Sequence, residues 1–229
     1  QMDAQLQLWH SMNKYLQFSI IKNASVIFWD FDGVIKDSVP VKGKAFKKLF
    51  ADFGTEVSDK VLSHHIANGG MSRYKKIRYY YENYVGFTIS DEKLLNIANR
   101  FGNLVEDEVV KSSWIDGAEE FLRSNPFNQT FLIVTGTPQR EIESILKKLN
   151  MNKIFLSVHG SPKEKKDIVG KEIDINNWEK SHCIFIGDSE IDYEAAFHNK
   201  IQFVYRGLEE TMPKAIKPDS VTNNFLKVF

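Results

Sequence analysis

Two carboxylates, Asp30 and Asp32, stand one residue apart directly after the apolar run at residues 26–29, and Gly33 follows them. A short apolar run rich in β-branched and aromatic residues that ends at a glycine is typical of a buried strand. Side chains alternate along a strand, so the two carboxylates are predicted to point the same way. Two like charges this close repel unless a cation lies between them or one holds a proton.

Three later apolar runs also lead into polar residues. These are Thr135, Gly136 and Thr137 after residues 130–134, Lys163, Lys165 and Lys166 after residues 154–158, and Asp188 and Asp192 after residues 183–186. Each group alone has an ordinary explanation as a turn, a helix cap or a solvated face. All four together, each at the end of a predicted strand, favour a site, because ligands of open α/β sheets bind at the carboxyl ends of strands.

The residue types suggest a division of labour. Three converging carboxylates (Asp30, Asp188 and Asp192) need a hard cation, and Mg²⁺ prefers oxygen ligands. A phosphoryl group would be bound by such a cation together with an ammonium, the Thr135 hydroxyl and backbone N–H groups around Gly136. A helix is predicted to start at this turn, and the N-terminus of a helix favours an anion. A carboxylate beside such a phosphorus atom can attack it to give an aspartyl-phosphate. A second carboxylate can protonate the leaving oxygen and later deprotonate water.

The elements that must position these residues alternate between strands and helices. This alternation predicts an α/β fold with a doubly wound, mainly parallel sheet. Residues 36–112 read as helical throughout, although connections in such folds are usually about 2–6 residues long. We therefore expect an inserted all-helical cap domain over the site, acting as a lid. The predicted domains are a helical extension (1–24), the core (25–35 and 113–229) and the cap (36–112).

Composition excludes several classes of protein. Lys+Arg and Asp+Glu both total 30, so no overall field favours nucleic acid or an anionic membrane. The single cysteine, Cys183, excludes an internal disulfide and a cysteine-based zinc site. No apolar run approaches the ~18 residues of a membrane span, and the start does not resemble a signal peptide. A cytoplasmic location is the resulting expectation. The predicted amphipathic helix at residues 3–22 would pack on the core or form a dimer contact, so a monomer or a homodimer is expected.

The motifs resemble those of the haloacid dehalogenase (HAD) superfamily, with its Rossmann-like core. They are Asp30-Phe31-Asp32-Gly33-Val34-Ile35, Val134-Thr135-Gly136-Thr137, Gly160-Ser161-Pro162-Lys163-Glu164-Lys165 and Gly187-Asp188-Ser189-Glu190-Ile191-Asp192. The resemblance covers the chain from about Ser25. A helical cap between the first two motifs is similar to the subgroup that contains phosphoglycolate phosphatases and β-phosphoglucomutases.

The resemblance implies roles for individual residues. Asp30 would be the nucleophile and a Mg²⁺ ligand, and Asp32 the general acid/base that offers its backbone carbonyl to the metal. We expect Asp30 to stay ionised and Asp32 to carry the proton. The remaining implied roles are phosphate binding by Thr135, Gly136 and Lys165, metal binding by Asp188, and support of the metal site by Asp192. Lys163 is the main alternative to Lys165 and Lys166 is a third choice, because the common Gly-Lys-Pro form of the third motif is absent.

The cap loop at residues 68–73 is similar to the loop that enters the site in this subgroup, which implies that Arg73 contacts substrate. A guanidinium suits a second phosphate or a carboxylate. The Tyr-rich and Lys-rich helix that follows, which includes Lys76, is interpreted as a solvated face with some aromatic core. His64 and His65 complete no ligand spacing and are interpreted as structural.

Three functions compete at this stage. The leading one is a Mg²⁺-dependent phosphatase that acts on a small phosphorylated metabolite. The second is a sugar phosphomutase of the β-phosphoglucomutase type, which needs a second phosphate grip in the cap. The third is a non-catalytic binding subunit, which would have lost at least one of the four motifs. An acid at position 32 argues against haloacid dehalogenases and phosphonoacetaldehyde hydrolases, which lack one there.

Overall fold

The computed structural model describes residues 18–226 and residue 228. Within them, six strands form one parallel sheet in the order β3-β2-β1-β4-β5-β6. The strands are β1 (Val26–Trp29), β2 (Thr130–Pro138), β3 (Ser157–Ser161), β4 (Cys183–Gly187), β5 (Gln202–Arg206) and β6 (Ser220–Thr222). The predicted doubly wound parallel sheet is confirmed.

Strand β1 lies at the centre of the sheet, between β2 and β4. Val26 pairs with Thr130 on one side and with Cys183 on the other. All four residues of β1 are buried, as expected of a parallel strand covered by helices on both faces. The residues that follow β1, β2 and β4 therefore meet at one edge of the sheet.

The main helices of the described chain cover both faces of the sheet and form the inserted layer. They are α1 (Val39–Leu49), α2 (Thr55–Ala67), α3 (Arg73–Tyr80), α4 (Asp91–Lys111), α5 (Ala118–Ser124), α6 (Gln139–Lys148), α7 (Lys165–Asn176) and α8 (Glu190–Asn199). A π-helical segment, Tyr81–Val85, extends α3. Residues 18–23 are also helical, and the rest of the helix predicted at residues 3–22 lies outside the described residues.

Three strands differ from the prediction. Strand β2 runs on to Pro138, so Thr135 and Thr137 belong to the strand rather than to a turn. Strand β3 begins at Ser157, later than predicted, because its pairing with β2 starts at the Leu132–Ser157 register. Strand β6 was not predicted, since three residues, Ser-Val-Thr, carry too little periodicity to recognise.

We call residues 36–112, which contain α1–α4, the cap. Its two connections to the core run side by side: the Asp37 amide donates to the Ser113 carbonyl at 2.9 Å, and the Ile115 amide donates to the Ile35 carbonyl at 2.9 Å. Side-chain caps define where two of its helices begin, because Ser72 accepts from the Lys75 amide and Ser90 from the Lys93 amide.

The apolar core has two parts, one on each face of the sheet. One cluster contains residues such as Phe185 and Phe203 and packs under α7 and α8. The other contains Trp29 from β1 and continues without interruption into the cap, where it includes Phe46 and Phe101. In the described part of the chain, no helix has the length and apolar character needed to cross a membrane.

Candidate active site

The first polar group at the strand ends is a buried chain of charges around Lys165. Its ammonium lies 2.9 Å from Asp30 Oδ1 and 2.6 Å from Asp192 Oδ1. All three side chains are at most 3% exposed. Burial favours the neutral amine, but the two carboxylates outweigh it and raise the pKa of Lys165 above its usual value. Lys163, in contrast, is exposed, so the geometry favours Lys165 as the lysine of the third motif.

Asp192 is held on both sides. Its second oxygen accepts hydrogen bonds from the Ser189 hydroxyl at 2.6 Å and the Ser189 amide at 3.2 Å. Ser189 in turn caps α8 by accepting from the Asp192 amide, which completes a capping box. Asp192 therefore positions Lys165, and it also belongs to an acidic cluster.

Asp30, Asp188 and Asp192 form that acidic cluster. Each offers an oxygen, and these oxygens lie within 4.8 Å of one another. Asp188 lies over Gly33, where a β-carbon would stand 2.1 Å from its Oδ2 and where φ is +78°. This position therefore requires glycine.

The electrostatics of the cluster fit a divalent cation. Burial raises the pKa of Asp30 to about 7, with a further contribution from Asp192. Burial also raises the pKa of Asp188, and the Asp30 carboxylate adds to it. When all three are ionised, three carboxylates against one ammonium leave two negative charges uncompensated, and the raised pKa values reflect this deficit. An all-oxygen donor set with that deficit is the environment that Mg²⁺ prefers.

Asp32 lies in a separate network. One oxygen accepts from the Ser38 hydroxyl at 2.5 Å, and the other accepts from the Lys42 ammonium at 2.5 Å and the Thr137 hydroxyl at 2.8 Å. Burial alone would raise the pKa of Asp32, but Lys42 and these hydrogen bonds lower it to about 2. The lowered pKa favours the ionised form of Asp32 in this arrangement, and its expected role as the residue that carries the proton stays a prediction.

The sequence interpretation missed this network because it gave Lys42 no role. A signal was present, since Ser38 and Lys42 are four residues apart at the start of a helix and therefore share a face. Ser38 precedes α1, yet its hydroxyl does not cap the helix and donates instead to Asp32.

Thr135 and Gly136 lie beside Asp30 on the neighbouring strand. Thr135 is 1% exposed, and its hydroxyl oxygen accepts from the Thr137 amide at 3.3 Å. The backbone at Gly136 meets the cap loop, because a β-carbon there would lie 2.5 Å from the Gly70 carbonyl oxygen. The core strand and the cap loop therefore touch backbone to backbone over the site.

Arg73, which is predicted to contact substrate, is held in an ion pair between the cap and the core. Its guanidinium is buried and makes a two-pronged pair with Glu141 of α6, at 2.7 and 2.6 Å. It also donates to the Ala98 carbonyl and lies 4.4 Å from the Phe101 ring centroid. Gly102 leaves room for the pair, since a β-carbon there would lie 2.8 Å from Glu141 Oε2. In this arrangement Arg73 ties the cap to the core.

A cavity of about 60 Å³ lies between the cap and the strand ends. From the core it is lined by residues that include Asp30, Asp32, Thr135 and Asp188, and from the cap by residues that include Lys42, His65, Gly70, Arg73 and Lys76. All the predicted site residues line it except Lys165 and Asp192, which lie directly behind Asp30.

Lys76 was interpreted as solvated and His65 as structural. In the structure both side chains are buried, and both line this cavity. The signal for Lys76 was its spacing. The buried residues of α3 are Arg73, Lys76, Ile77 and Tyr80, which is the i, i+3, i+4, i+7 stripe of one helix face. A lysine on that stripe must lie inside.

Comparison with known proteins places the chain in a family. Residues 26–205 match the model of the haloacid dehalogenase-like hydrolases. No curated protein matches the sequence.

Solved structures show the same fold at low sequence identity. A predicted phosphoglycolate phosphatase from Haemophilus somnus 129pt is 17% identical, with a TM-score of 0.68 over 89% of this chain and 95% of that one. A haloacid dehalogenase-like family protein from Streptococcus pneumoniae is 16% identical, with a TM-score of 0.66 over 90% and 97%. CbbY from Rhodobacter sphaeroides, in complex with a xylulose bisphosphate, is 13% identical, with a TM-score of 0.70 over 89% and 96%.

Proposed function

The chain belongs to the haloacid dehalogenase-like hydrolase family, and we propose that it is a Mg²⁺-dependent phosphatase that hydrolyses a small phosphorylated metabolite through an aspartyl-phosphate. One observation carries the proposal. The Asp30 carboxylate is buried, contacts the Lys165 ammonium, and belongs to an acidic cluster suited to a divalent cation. A carboxylate in such a setting is placed to attack a phosphorus atom whose charge its surroundings neutralise.

The residues that bind the phosphoryl group come from two elements, strand β2 and helix α7. Lys165 and the Thr135 hydroxyl, with the backbone at Gly136, hold its oxygens next to Asp30. The hydrogen bond from the Thr137 amide orients the Thr135 side chain. These contacts align phosphorus with the attacking Asp30 oxygen.

Mg²⁺ would be held by Asp30, Asp188 and the Asp32 backbone carbonyl, with Asp192 supporting the site. When bound, it supplies positive charge that offsets the repulsion between the carboxylates and the phosphate. Asp192 contributes chiefly by fixing Lys165, because both of its oxygens already accept hydrogen bonds.

Asp32 moves the proton in both half-reactions. For the first step Asp32 takes up a proton from solvent, and it gives this proton to the leaving oxygen as the Asp30–phosphorus bond forms and the bond to that oxygen breaks. Water then attacks the aspartyl-phosphate, gives its proton to Asp32, and releases inorganic phosphate and free Asp30. The Lys42 charge favours the ionised, proton-accepting form of Asp32, which suits the hydrolytic second step.

The structure offers no support for the phosphomutase alternative through Arg73. That activity needs a second phosphate grip in the cap, and the Arg73 guanidinium is paired with Glu141. The non-catalytic alternative lacks support too, because each of the four motifs keeps its functional residue types. The cytoplasmic location and the monomeric or homodimeric state stay predictions.

The test is phosphate release from an aryl phosphate and from a panel of small phosphorylated metabolites, with MgCl₂. We expect turnover that EDTA abolishes and that Asp30→Asn lowers at least a thousandfold, as loss of a nucleophile should. Asp174→Asn, an exposed position on α7, is the matched control and should keep full activity. Absence of turnover across the panel, or a fully active Asp30→Asn variant, would refute the proposal.

A further inference from the structure

Lys76 is a buried cation without an acidic partner. Its side chain is 3% exposed and lines the cavity opposite the strand ends. Its ammonium contacts His65 Nδ1 at 3.0 Å and the His65 carbonyl oxygen at 3.3 Å. Among the described residues no carboxylate oxygen lies within 4 Å of it.

His65 orients this ammonium without neutralising it. Burial and the nearby Lys76 charge lower the pKa of His65 to about 3, so the ring is uncharged at neutral pH. Its Nε2 faces the Val39 carbonyl oxygen at 3.4 Å, which assigns the ring proton to Nε2. Nδ1 is then free to accept from Lys76. The Lys76 charge therefore stays uncompensated.

The other cations near the cavity are already paired. Lys42 is bound to Asp32, Arg73 to Glu141, and Lys165 to Asp30 and Asp192. Lys76 differs from these three cations because no carboxylate of the described residues pairs with it. A buried ammonium that faces a ligand cavity without an anion is unfavourable until an anionic ligand binds beside it. Burial and the Lys42 charge accordingly lower the pKa of Lys76 to about 7.

We propose that Lys76 is a specificity-determining residue that binds a second anionic group of the substrate, a carboxylate or phosphate carried by the alcohol that leaves. The inference rests on the proposed function, because the cavity that Lys76 lines is the one in which Asp30 would meet the phosphoryl group. The cavity is small, about 60 Å³. The second anion should therefore lie close to the phosphoryl group.

Non-hydrolysable phosphonates separate this inference from catalysis. Three probes share a phosphonate and a short chain and differ at the far end: 3-phosphonopropionate ends in a carboxylate, ethane-1,2-bisphosphonate in a second phosphonate, and propylphosphonate in a methyl group. Their affinities are measured by calorimetry with MgCl₂, in the wild type and in Lys76→Met. Lys75→Met, its exposed neighbour that pairs with Glu164, is the control.

We expect the wild type to bind at least one of the two probes that have a second anionic group about tenfold or more tightly than propylphosphonate, as a charge-assisted hydrogen bond predicts. Whichever of these two probes is preferred identifies the second group as a carboxylate or a phosphate. Lys76→Met should lose the preference and keep its affinity for propylphosphonate, and Lys75→Met should retain the preference.

Two results would overturn the inference: a wild type without any preference, or a preference that survives in Lys76→Met. Lys76→Gln repeats the test if the Met variant binds none of the probes. Turnover takes no part in these measurements, so the phosphatase proposal can fail while phosphonate selectivity persists, and the reverse also holds.

Discussion

The strand ends and helix α3 both place charged side chains at the same cavity, but they treat those charges differently. At the strand ends each cation is matched by acids, as Lys165 is by Asp30 and Asp192. On α3, Arg73 forms an ion pair with Glu141. Lys76, one turn further along α3, contacts His65 and has no carboxylate partner among the described residues.

The difference separates two tasks. Residues at the strand ends must hold a defined geometry with or without ligand, and paired charges on a rigid sheet provide it. A group that selects a substrate has to leave an interaction unfilled until the substrate arrives. On this interpretation α3 contains one residue for closure, Arg73, and one for selection, Lys76.

Removing the ammonium at the strand ends should have the largest effect. Lys165→Met deletes a charge that would stabilise the transferring phosphoryl group, and we expect kcat to fall about a thousandfold. It also leaves Asp30 and Asp192 buried without a cation, so the free energy of unfolding should fall too. Kinetics and urea unfolding measure the two effects. Lys163→Met, at the exposed alternative, should change neither, and an equal loss in both variants would contradict the assignment.

Breaking the cap-to-core pair should come next. Arg73→Met strands the Glu141 carboxylate in a buried site and should lower the free energy of unfolding by about 3 kcal/mol. The double variant Arg73→Met/Glu141→Leu should recover much of that loss, because no charge remains unpaired. Chemical unfolding checks this cycle. If Arg73 instead binds substrate, Arg73→Met would raise KM strongly while Glu141→Leu left KM unchanged.

The Asp32 network should give an intermediate effect that depends on the leaving group. Asp32→Asn should lower turnover of alkyl phosphates about a hundredfold, which is the usual worth of a general acid/base. Aryl phosphates should suffer less, since their leaving oxygen needs little protonation. Mg²⁺ affinity should change little, because the Asp32 side chain lies outside the acidic cluster. A loss of metal affinity as large as in Asp30→Asn would overturn that separation.

Lys42→Met tests why Asp32 is ionised. Without the Lys42 charge, the pKa of Asp32 should rise from about 2. The protonated fraction of Asp32 at a given pH then increases, so any limb of the pH–rate profile set by Asp32 should move to higher pH. An unmoved profile would show that Lys42 does not set the charge of Asp32.

The smallest effect should be a gain in stability. The pKa of Lys76 is about 7 in the folded protein and 10.5 in its ordinary state. Below pH 7 Lys76 is protonated in both the folded and the unfolded protein, so the folded protein bears the whole cost of burying its charge. This cost fades as the pH rises from 7 toward 10.5, because the folded protein then holds neutral Lys76. Lys76→Met should therefore raise the free energy of unfolding at pH 6.5 and raise it less at pH 9.5. A gain that is equal at both values, or a loss, would contradict this.

The sequence predicted the strand-end cluster well because strand geometry is regular. Side chains after adjacent parallel strands must meet, so Asp30, Thr135 and Asp188 were brought together by spacing alone. The cap was also predicted to be helical throughout, and its main observed elements, α1–α4, are helices. Strand β2 was predicted to end too early, since the Gly and Pro after Thr135 resemble a turn.

The partners of charged residues in the cap were not predictable in the same way. Arg73 meets Glu141 only because α4 packs against both α3 and α6 and so brings their ends together, and no spacing within α3 or α6 encodes that contact. Lys42 and Lys76 lie on readable helical stripes, but the apolar preference of such positions argues against lysine. The expectation that buried helix positions are apolar fails where the buried face of a helix also lines a ligand cavity, because a charged side chain there can serve function.

The apolar cluster that runs from Trp29 into the cap bears on how such a protein can diversify. Phe46 and Phe101 belong to the same apolar cluster as residues of the sheet, so the cap and the core do not have separate hydrophobic cores. Replacing the cap wholesale would open the interior under β1. Single substitutions on the cavity side of α3 can change the substrate range at less cost in stability. They leave the apolar cluster shared by the cap and the sheet intact.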